Sequence, residues 1–156
     1  MRNPLSRIFF IFLAGLLLFT CSCDQEACFE ETNAYVKASL YLYETGKLNA
    51  PDSITVYGVN KESSKIYAKS KSITKALLPL DTDAGSCSFV LRINGVNDTI
   101  SFLYSSYPHL LSKACGYTYY HTISETPEHT TNLIDSVAIN NNSITTLNAE
   151  NIRIYY

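Results

Sequence analysis

The segment from Asn33 to Glu44 alternates between two kinds of side chain. The aliphatic set is Ala34, Val36, Ala38, Leu40 and Leu42, and the polar or tyrosyl set is Tyr35, Lys37, Ser39, Tyr41 and Tyr43. Because successive side chains of a β-strand point to opposite faces, this period of two predicts a long strand with one face in a core. The segment therefore favours a β-sheet fold.

Short apolar runs follow this segment at close intervals, separated by turn residues. They predict further strands at residues 53–59, 65–69, 77–80, 87–93, 99–104, 116–123, 133–139, 144–147 and 152–156. Pro79 places one of these at a sheet edge, because proline cannot donate to a strand ladder. Asn94-Gly95 begins a connection of four or five residues in a hairpin, and residues 105–113 are expected to form a loop with one helical turn.

Twelve tyrosines and no tryptophan accompany these runs, with almost no helical periodicity. Eight or nine short strands at this spacing predict an all-β fold, a Greek-key or immunoglobulin-like β-sandwich, over residues 33–156. A segment of this size is suited to a single domain with a sizeable core.

The N-terminus carries the pattern of an export signal. Arg2 and Arg7 precede an apolar run from Ile8 to Phe19. This run is shorter than the 18 or more apolar residues that a spanning helix needs, and polar sequence follows it directly. We therefore expect residues 1–20 to be a cleaved signal peptide.

The signal runs into Leu18-Phe19-Thr20-Cys21, which looks like a bacterial lipobox. Cys23 is the alternative lipidation site, because Ser22 is a better residue to cut behind than Thr20, but Leu18 favours Cys21. Acylation would anchor the chain permanently, with residues 21–32 as lipidated N-terminus and tether. Asp24 and Glu26 resemble the acidic tag that directs some lipoproteins to the outer membrane, at its periplasmic face or at the cell surface.

The charge of the mature chain argues against a nucleic-acid partner. Removal of Arg2 and Arg7 leaves ten of the 12 basic residues against 14 acidic ones, a net charge of −4 with neutral histidine. A strongly basic face is the usual footprint of nucleic-acid binding. We expect the membrane and an envelope protein as partners instead.

The five cysteines fit an oxidising compartment. Acylation of Cys21 leaves four cysteines and three connectivities, whereas acylation of Cys23 leaves three cysteines and one free thiol. Among the pairings we favour Cys28 with Cys115, because this bridge would pin the membrane-proximal N-terminus to the domain. No metal site is expected, since the chain has no C-x-x-C and its three histidines have no ligand spacing with the cysteines.

Catalytic motifs are not found in the sequence. It has no G-x-S-x-G, no H-E-x-x-H, no P-loop and no dinucleotide fingerprint. His109, His121 and His129 have no evident nucleophile partner. We therefore expect no catalytic residues, no cofactor and no enzyme activity.

Three short motifs suggest a modification. Asp52-Ser53-Ile54, Asp98-Thr99-Ile100 and Asp135-Ser136-Val137 match an Asp-Ser/Thr-aliphatic pattern of periplasmic O-glycosylation. The alternative is that Asp followed by Ser or Thr merely starts a strand after a turn. Ser53, Thr99 and Ser136 are thus candidate glycosylation sites.

Several of these stretches together resemble a known family. They are Cys28 shortly after the lipidated cysteine, the strand Ala34–Tyr43, Asp52-Ser53-Ile54-Thr55-Val56-Tyr57-Gly58, Leu77-Leu78-Pro79-Leu80-Asp81, Asp98-Thr99-Ile100 before Tyr104, and Cys115-Gly116-Tyr117. The mature chain is similar to small lipoproteins of Bacteroidota type that form a family of unknown function. The resemblance implies the anchor, the β fold and a Cys28–Cys115 pair, but no activity; Cys87 and the second cysteine of the Cys21/Cys23 pair depart from it.

Two functions fit an anchored β domain without evident chemistry. The first is a non-enzymatic accessory or docking subunit for another envelope component, for which exposed tyrosines would form the interface. The second is a surface module that binds a ligand or glycan. The first predicts a stoichiometric partner and an apolar, tyrosine-bearing patch, whereas the second predicts a concave pocket.

Overall fold

The computed structural model describes residues 27–156. Over this range the chain is all-β, with twelve strands and no helix. The strands are β1 Tyr35–Leu42, β2 Lys47–Leu48, β3 Ile54–Gly58, β4 Lys65–Ser70, β5 Lys75–Pro79, β6 Ser86–Ile93, β7 Val96–Ser112, β8 Gly116–Ile123, β9 Glu128–His129, β10 Ser136–Ile139, β11 Ser143–Ile144 and β12 Ile152–Tyr155.

The smaller sheet is built around β1. On one side β1 pairs with β12 in parallel, and β12 pairs with β10. On the other side β5 pairs with the first half of β1 and β2 with its end. The strand is buried on both faces from Val36 to Leu40. Its polar side chains in this range are therefore not exposed to solvent, although the alternation with aliphatic residues predicted one buried face only.

The larger sheet is antiparallel and has the order β11-β8-β7-β6-β3-β4. Its longest strand, β7, pairs with β6 through residues 96–103 and with β8 through residues 104–112. The short β9 continues the line of β8 along β7. The second half of β7 and its partner β8 thus form a hairpin that extends past the end of β6.

The apolar faces of the two sheets share one core cluster. Its fully buried large side chains are Leu40, Ile54, Leu78, Leu91, Ile93, Ile100, Phe102, Ile123, Ile134, Ile144, Ile152 and Ile154. Most are isoleucine, whose β-branched side chain packs well on a pleated surface. The prediction of an all-β fold is confirmed.

Three details of the sequence analysis were wrong. Residues 105–112 continue strand β7 instead of forming a loop with a helical turn, and Pro108 is tolerated because that stretch of β7 lies past the end of β6. The connection after β6 has two residues instead of four or five, with Asn94 at φ 49° and Gly95 at φ 88°, the signs of a type I′ turn. The strand count also exceeds eight or nine, because two-residue strands such as β2 leave no sequence period to detect.

The proposed signal peptide (residues 1–20), Cys21 and Cys23 lie outside the described residues, which include only the end of the tether. In the described part of the chain, no helix could cross a membrane.

Candidate docking surface

A row of side chains crosses the outer face of the smaller sheet. In the strand register Tyr41 of β1 lies between Leu48 of β2 and Tyr155 of β12, and Tyr155 is opposite Ser136 of β10. Register partners share a face of a sheet. We use the name Tyr41 surface for Tyr41, Tyr43, Leu48, Arg153 and Tyr155.

The Tyr41 surface is ordered by one carboxylate. Glu150 accepts hydrogen bonds from the Tyr41 hydroxyl at 2.9 Å and from Arg153 Nε at 2.6 Å. The Arg153 guanidinium lies 5.7 Å from the centre of the Tyr41 ring, which in turn is 5.4 Å from the Tyr155 ring. The rings and the cation are therefore held in place by contacts within the domain.

The hydrogen bonds around Glu150 shift the pKa values of Tyr41, Glu150 and Arg153. The hydrogen bond to Glu150 raises the pKa of Tyr41 and of Arg153. Burial raises the pKa of Glu150, but the hydrogen bonds from Arg153, Ser39 and Tyr41 outweigh it and hold this pKa below its usual value. Glu150 thus stays ionised at neutral pH, and the Arg153 side chain remains 41% exposed.

The chain from Thr145 to Glu150 passes over the outer face of β1. The Lys37 ammonium, which is buried, donates to the Thr145 carbonyl at 2.7 Å and to the Tyr35 carbonyl at 3.3 Å. Burial lowers the pKa of Lys37. This segment therefore converts the predicted polar face of β1 into a second buried layer.

The β7–β8 hairpin carries a second group of exposed apolar side chains. Leu110 is opposite Tyr117 and Pro108 is opposite Tyr119, so all four lie on one face. Phe29, which follows Cys28 in the sequence, is 93% exposed on the N-terminal segment. We use the name tip surface for Pro108, Leu110, Tyr117 and Tyr119.

The other face of the hairpin is stiffened by aromatic contacts. The Tyr120 ring stacks on His109 at 4.1 Å and meets Tyr107 edge-on at 6.2 Å. Its hydroxyl lies 3.2 Å from that of Thr146. Such contacts restrict the bending of a two-stranded ribbon.

A disulfide joins Cys28 to Cys115 at the turn of this hairpin, with their Cα atoms 4.8 Å apart. This is the pair that the sequence analysis favoured. The Thr118 hydroxyl also donates to the Thr32 carbonyl at 2.6 Å. The segment before β1 is therefore held along the hairpin.

Cys87 is the free cysteine among the described residues. Burial raises the pKa of its thiol to about 11 and that of the neighbouring Tyr104 to about 12. Cys87 lines a groove of about 560 Å³ together with Lys61, Asp81 and the serines on either side of it. A thiol that is protonated at neutral pH is a poor nucleophile.

Sequence reasoning missed one pairing of a hydroxyl with a histidine. Ser106 of β7 is opposite His121 of β8, and Ser106 Oγ lies 2.8 Å from His121 Nδ1. The pairing could not be found because residues 105–113 were interpreted as a loop. His121 is 3% exposed, burial lowers its pKa, and Tyr104 packs edge-on against its ring. The imidazole is therefore neutral at pH 7. Among residues 27–156, no hydrogen bond joins this ring to a carboxylate that could orient it.

No group of three or more His, Cys, Asp or Glu side chains in residues 27–156 could hold a metal ion. His129, the histidine outside the β7–β8 hairpin, has its Nδ1 3.4 Å from the Pro127 carbonyl. Residues 27–156 thus bring no set of metal ligands together.

The candidate glycosylation residues lie in three settings. Ser53 precedes β3, Thr99 lies within β7, and Ser136 begins β10; all three are half-buried. The acidic residue before Thr99, Asp98, is buried and accepts four hydrogen bonds from residues 130–134. Asp98 therefore has a structural task in addition to any part in a modification motif.

A comparison with protein families identifies the chain. The model of a family of unknown function, DUF6452, matches residues 53–156. The protein belongs to this family. The match spans β3 to β12 of the DUF6452 chain, so β1, β2 and Cys28 lie before it. No curated protein and no solved structure matches the sequence. The expectation of a family of unknown function is confirmed, whereas its assignment to Bacteroidota and the lipobox stay predictions.

Proposed function

We propose that this protein is a non-enzymatic, outer-membrane-anchored lipoprotein that docks on another protein of the cell envelope through the Tyr41 surface. The observation that carries the proposal is the ordered cluster in which Glu150 holds both Tyr41 and Arg153. Tyrosine and arginine are enriched among the residues that dominate binding energy at interfaces. A surface that is already ordered loses less side-chain entropy on binding.

The position of the Tyr41 surface relative to the tether supports this role. Along β8 the contacts of the N-terminal segment follow in order, with Cys28 at Cys115 and Thr32 at Thr118. Further on, Lys37 reaches Thr145, which follows the β11 residue paired with His121. β1 therefore runs away from the tether, and Tyr41 lies at its far end, where a partner has access.

The partner expected from this chemistry is a folded envelope protein with an apolar, hydrogen-bonding surface. Leu48 and Tyr43 supply exposed apolar area at the end of β1, and the rings of Tyr41 and Tyr155 supply stacking faces. The Nε of Arg153 is bound to Glu150. The other N–H groups of its guanidinium can donate to carboxylates or carbonyls of a partner.

The docking test uses a matched pair of leucines. Leu48 is 52% exposed on the Tyr41 surface, and Leu103 is 48% exposed on the larger sheet. The tagged lipoprotein is purified in mild detergent from its host, and co-eluting proteins are quantified by mass spectrometry. We expect one stoichiometric partner that is retained by Leu103→Ala, whereas Leu48→Ala lowers the amount of co-eluting partner about tenfold or more. Equal retention by both variants would reject the surface, and elution of the protein alone would reject docking.

The anchor is tested separately by metabolic labelling with an alkyne fatty acid. We expect label in the wild-type chain and its loss in Cys21→Ala, with Cys23→Ala still labelled. The reverse pattern would assign lipidation to Cys23. An unlabelled wild-type chain would reject the anchor and with it the outer-membrane location.

A second candidate function, a ligand- or glycan-binding module, is favoured by the groove at Cys87. Its lining combines Lys61 and Asp81 with the hydroxyls of Ser64, Ser86 and Ser88. Polar groups of this kind suit a hydroxylated ligand. Binding of an oligosaccharide in a glycan array, abolished by Lys61→Ala but not by Leu48→Ala, would support this function over docking.

We also propose O-glycosylation at Ser53, Thr99 or Ser136. Ser136 lies beside Tyr155 in the strand register, so a glycan there would border the Tyr41 surface. Mass spectrometry of the protein from its own host tests the three sites, and three unmodified residues would reject the proposal.

We further propose that the two sheets form a sandwich of Greek-key, immunoglobulin-like class. The chain passes from β4 in the larger sheet to β5 in the smaller sheet and back to β6, which supports a two-layer arrangement. An experimental structure whose strand order differs from that of a Greek-key, immunoglobulin-like sandwich would reject this proposal.

A further inference from the structure

We propose that the tip surface rests in the headgroup region of the bilayer and orients the anchored domain. The inference rests on the proposed lipid anchor but concerns a different part of the molecule from the Tyr41 surface. The occupant is a zwitterionic lipid surface, and Pro108, Leu110, Tyr117 and Tyr119 are the residues that contact it.

One face of the β7–β8 hairpin is buried at its base and exposed toward its turn. At Tyr104 this face of β7 is buried in the core, and in β8 the same holds for Ile123. Further along the hairpin the face leaves the core, so that Leu110 is 52% and Tyr117 73% exposed. The apolar pattern therefore continues beyond the point where the described protein covers it.

The predicted tether joins the domain at the turn of the hairpin. The disulfide fixes Cys28 at Cys115, in the turn of the hairpin. Cys28 follows Cys21 by seven positions and Cys23 by five, so an extended tether reaches at most about 25 Å. The tip surface is thus the part of the domain that the tether holds next to the membrane.

The N-terminal segment contacts the hairpin on the face opposite the tip surface. Thr118 binds Thr32 from the face opposite Tyr117 and Tyr119, because neighbouring strand residues point to opposite faces. The N-terminal segment therefore lies across one face and leaves the tip surface uncovered. The contacts of Tyr120 with His109 and Tyr107 stiffen the ribbon that presents it.

The chemistry of the tip surface selects the kind of lipid. Tyrosine suits the membrane interface, where its ring can be buried while its hydroxyl stays hydrated. The exposed Lys113 is outnumbered by the exposed Glu30 and Glu31. Attraction to anionic lipids is therefore not expected, and binding should depend on apolar contact alone.

The test uses the absence of tryptophan from the sequence. The full-length lipoprotein carries a single new tryptophan, as Tyr117→Trp at the tip or as Tyr43→Trp at the far end of β1, where the native side chain is 59% exposed. Each variant is reconstituted into phosphatidylcholine vesicles with brominated acyl chains. We expect about twofold quenching of the tryptophan at 117 and little at 43, unchanged when anionic lipid is added.

Flotation of the same samples separates the inference from the anchor on which it rests. If the protein does not float with the vesicles, the anchor fails and the inference is rejected with it. If it floats but the tryptophan at 117 is not quenched, or both tryptophans are quenched equally, the anchor stands and the orientation by the tip surface is overturned.

Discussion

The carboxylate of Asp98 accepts a hydrogen bond from the hydroxyl of Thr130 over 2.6 Å, across a sequence separation of 32 residues. Backbone N–H groups of Asn132, Leu133 and Ile134 donate to the same carboxylate at 2.8 to 3.0 Å. Asp98 is 2% exposed. One side chain of β7 thus fixes the loop that leads into β10 and places Ile134 in the core.

Replacement of Asp98 should destabilise the fold strongly. Asp98→Ala removes an acceptor and leaves three backbone donors without a partner, which we expect to cost about 3 kcal/mol in the free energy of unfolding. Asp83→Ala is the control, since Asp83 is exposed and its backbone binds only the neighbouring Asp81. Urea denaturation measures both, and equal effects would contradict this role for Asp98.

The stability should fall at acid pH in part through Asp98. Burial raises the pKa of this carboxyl, but hydrogen bonds from Thr130 and from the backbone of residues 132–134 outweigh it and lower the pKa below 3.8. A depressed folded-state pKa contributes stability above the unfolded-state value, and this contribution is lost as pH falls through the folded-state value. Asp98→Asn should therefore differ most from wild type above about pH 4, and the two should converge as pH falls through the folded-state pKa of Asp98.

Opening of the Cys28–Cys115 disulfide should lower the free energy of unfolding. The bridge closes a sequence separation of 87 residues, for which the loop-entropy model predicts about 4.6 kcal/mol. We expect about 3 kcal/mol, because the segment before β1 also gains freedom in the folded state. Denaturation with and without reductant measures the loss. Cys28→Ser plus Cys115→Ser should reproduce it, whereas Cys87→Ser should not.

The turn between β6 and β7 should depend on the conformation of Gly95. Its φ is 88°, and an added Cβ would meet no atom within 4 Å, so the cost of Gly95→Ala comes from the backbone alone. We expect a loss of about 1 kcal/mol. At Gly85 the added Cβ would be in ordinary contact with the Tyr104 carbonyl, and no positive φ applies. Thermal denaturation should therefore show little change for Gly85→Ala.

Cys87 should react slowly with thiol reagents in the folded protein. Its pKa of about 11, raised by burial from 9.0, lowers the thiolate fraction near pH 7 by about a hundredfold. Alkylation followed by mass spectrometry measures the rate, with the urea-unfolded chain as the reference. Equal rates in the two states would show that the thiol is not protected by the fold.

Much of the β-structure could be predicted from local patterns. The alternation from Ala34 to Tyr43 contains β1, and apolar runs located β3, β4, β6 and β8 to within a few residues. Asn94-Gly95 correctly marked a hairpin, although the turn is shorter than expected. These features were accessible because strand periodicity and turn chemistry depend on neighbours in sequence.

The Tyr41 surface could not be predicted in the same way. It joins Tyr41 to Tyr155 and Glu150, which are more than a hundred residues away, through the parallel pairing of β1 with β12. A single sequence carries no signal for such a pairing. The same holds for Ser106 and His121, whose contact depends on the register of a hairpin that was interpreted as a loop.

The sequence by itself determined that the described chain is all-β, because alternation and turn residues act locally and leave few alternatives. It also predicted a tethered N-terminus from the order of charges, apolar residues and cysteines. Only the tertiary structure decided which strands are neighbours, and hence that Cys28 lies at one end of the domain and Tyr41 at the other. That decision rests on burying two apolar faces in one core, which depends on the whole chain at once.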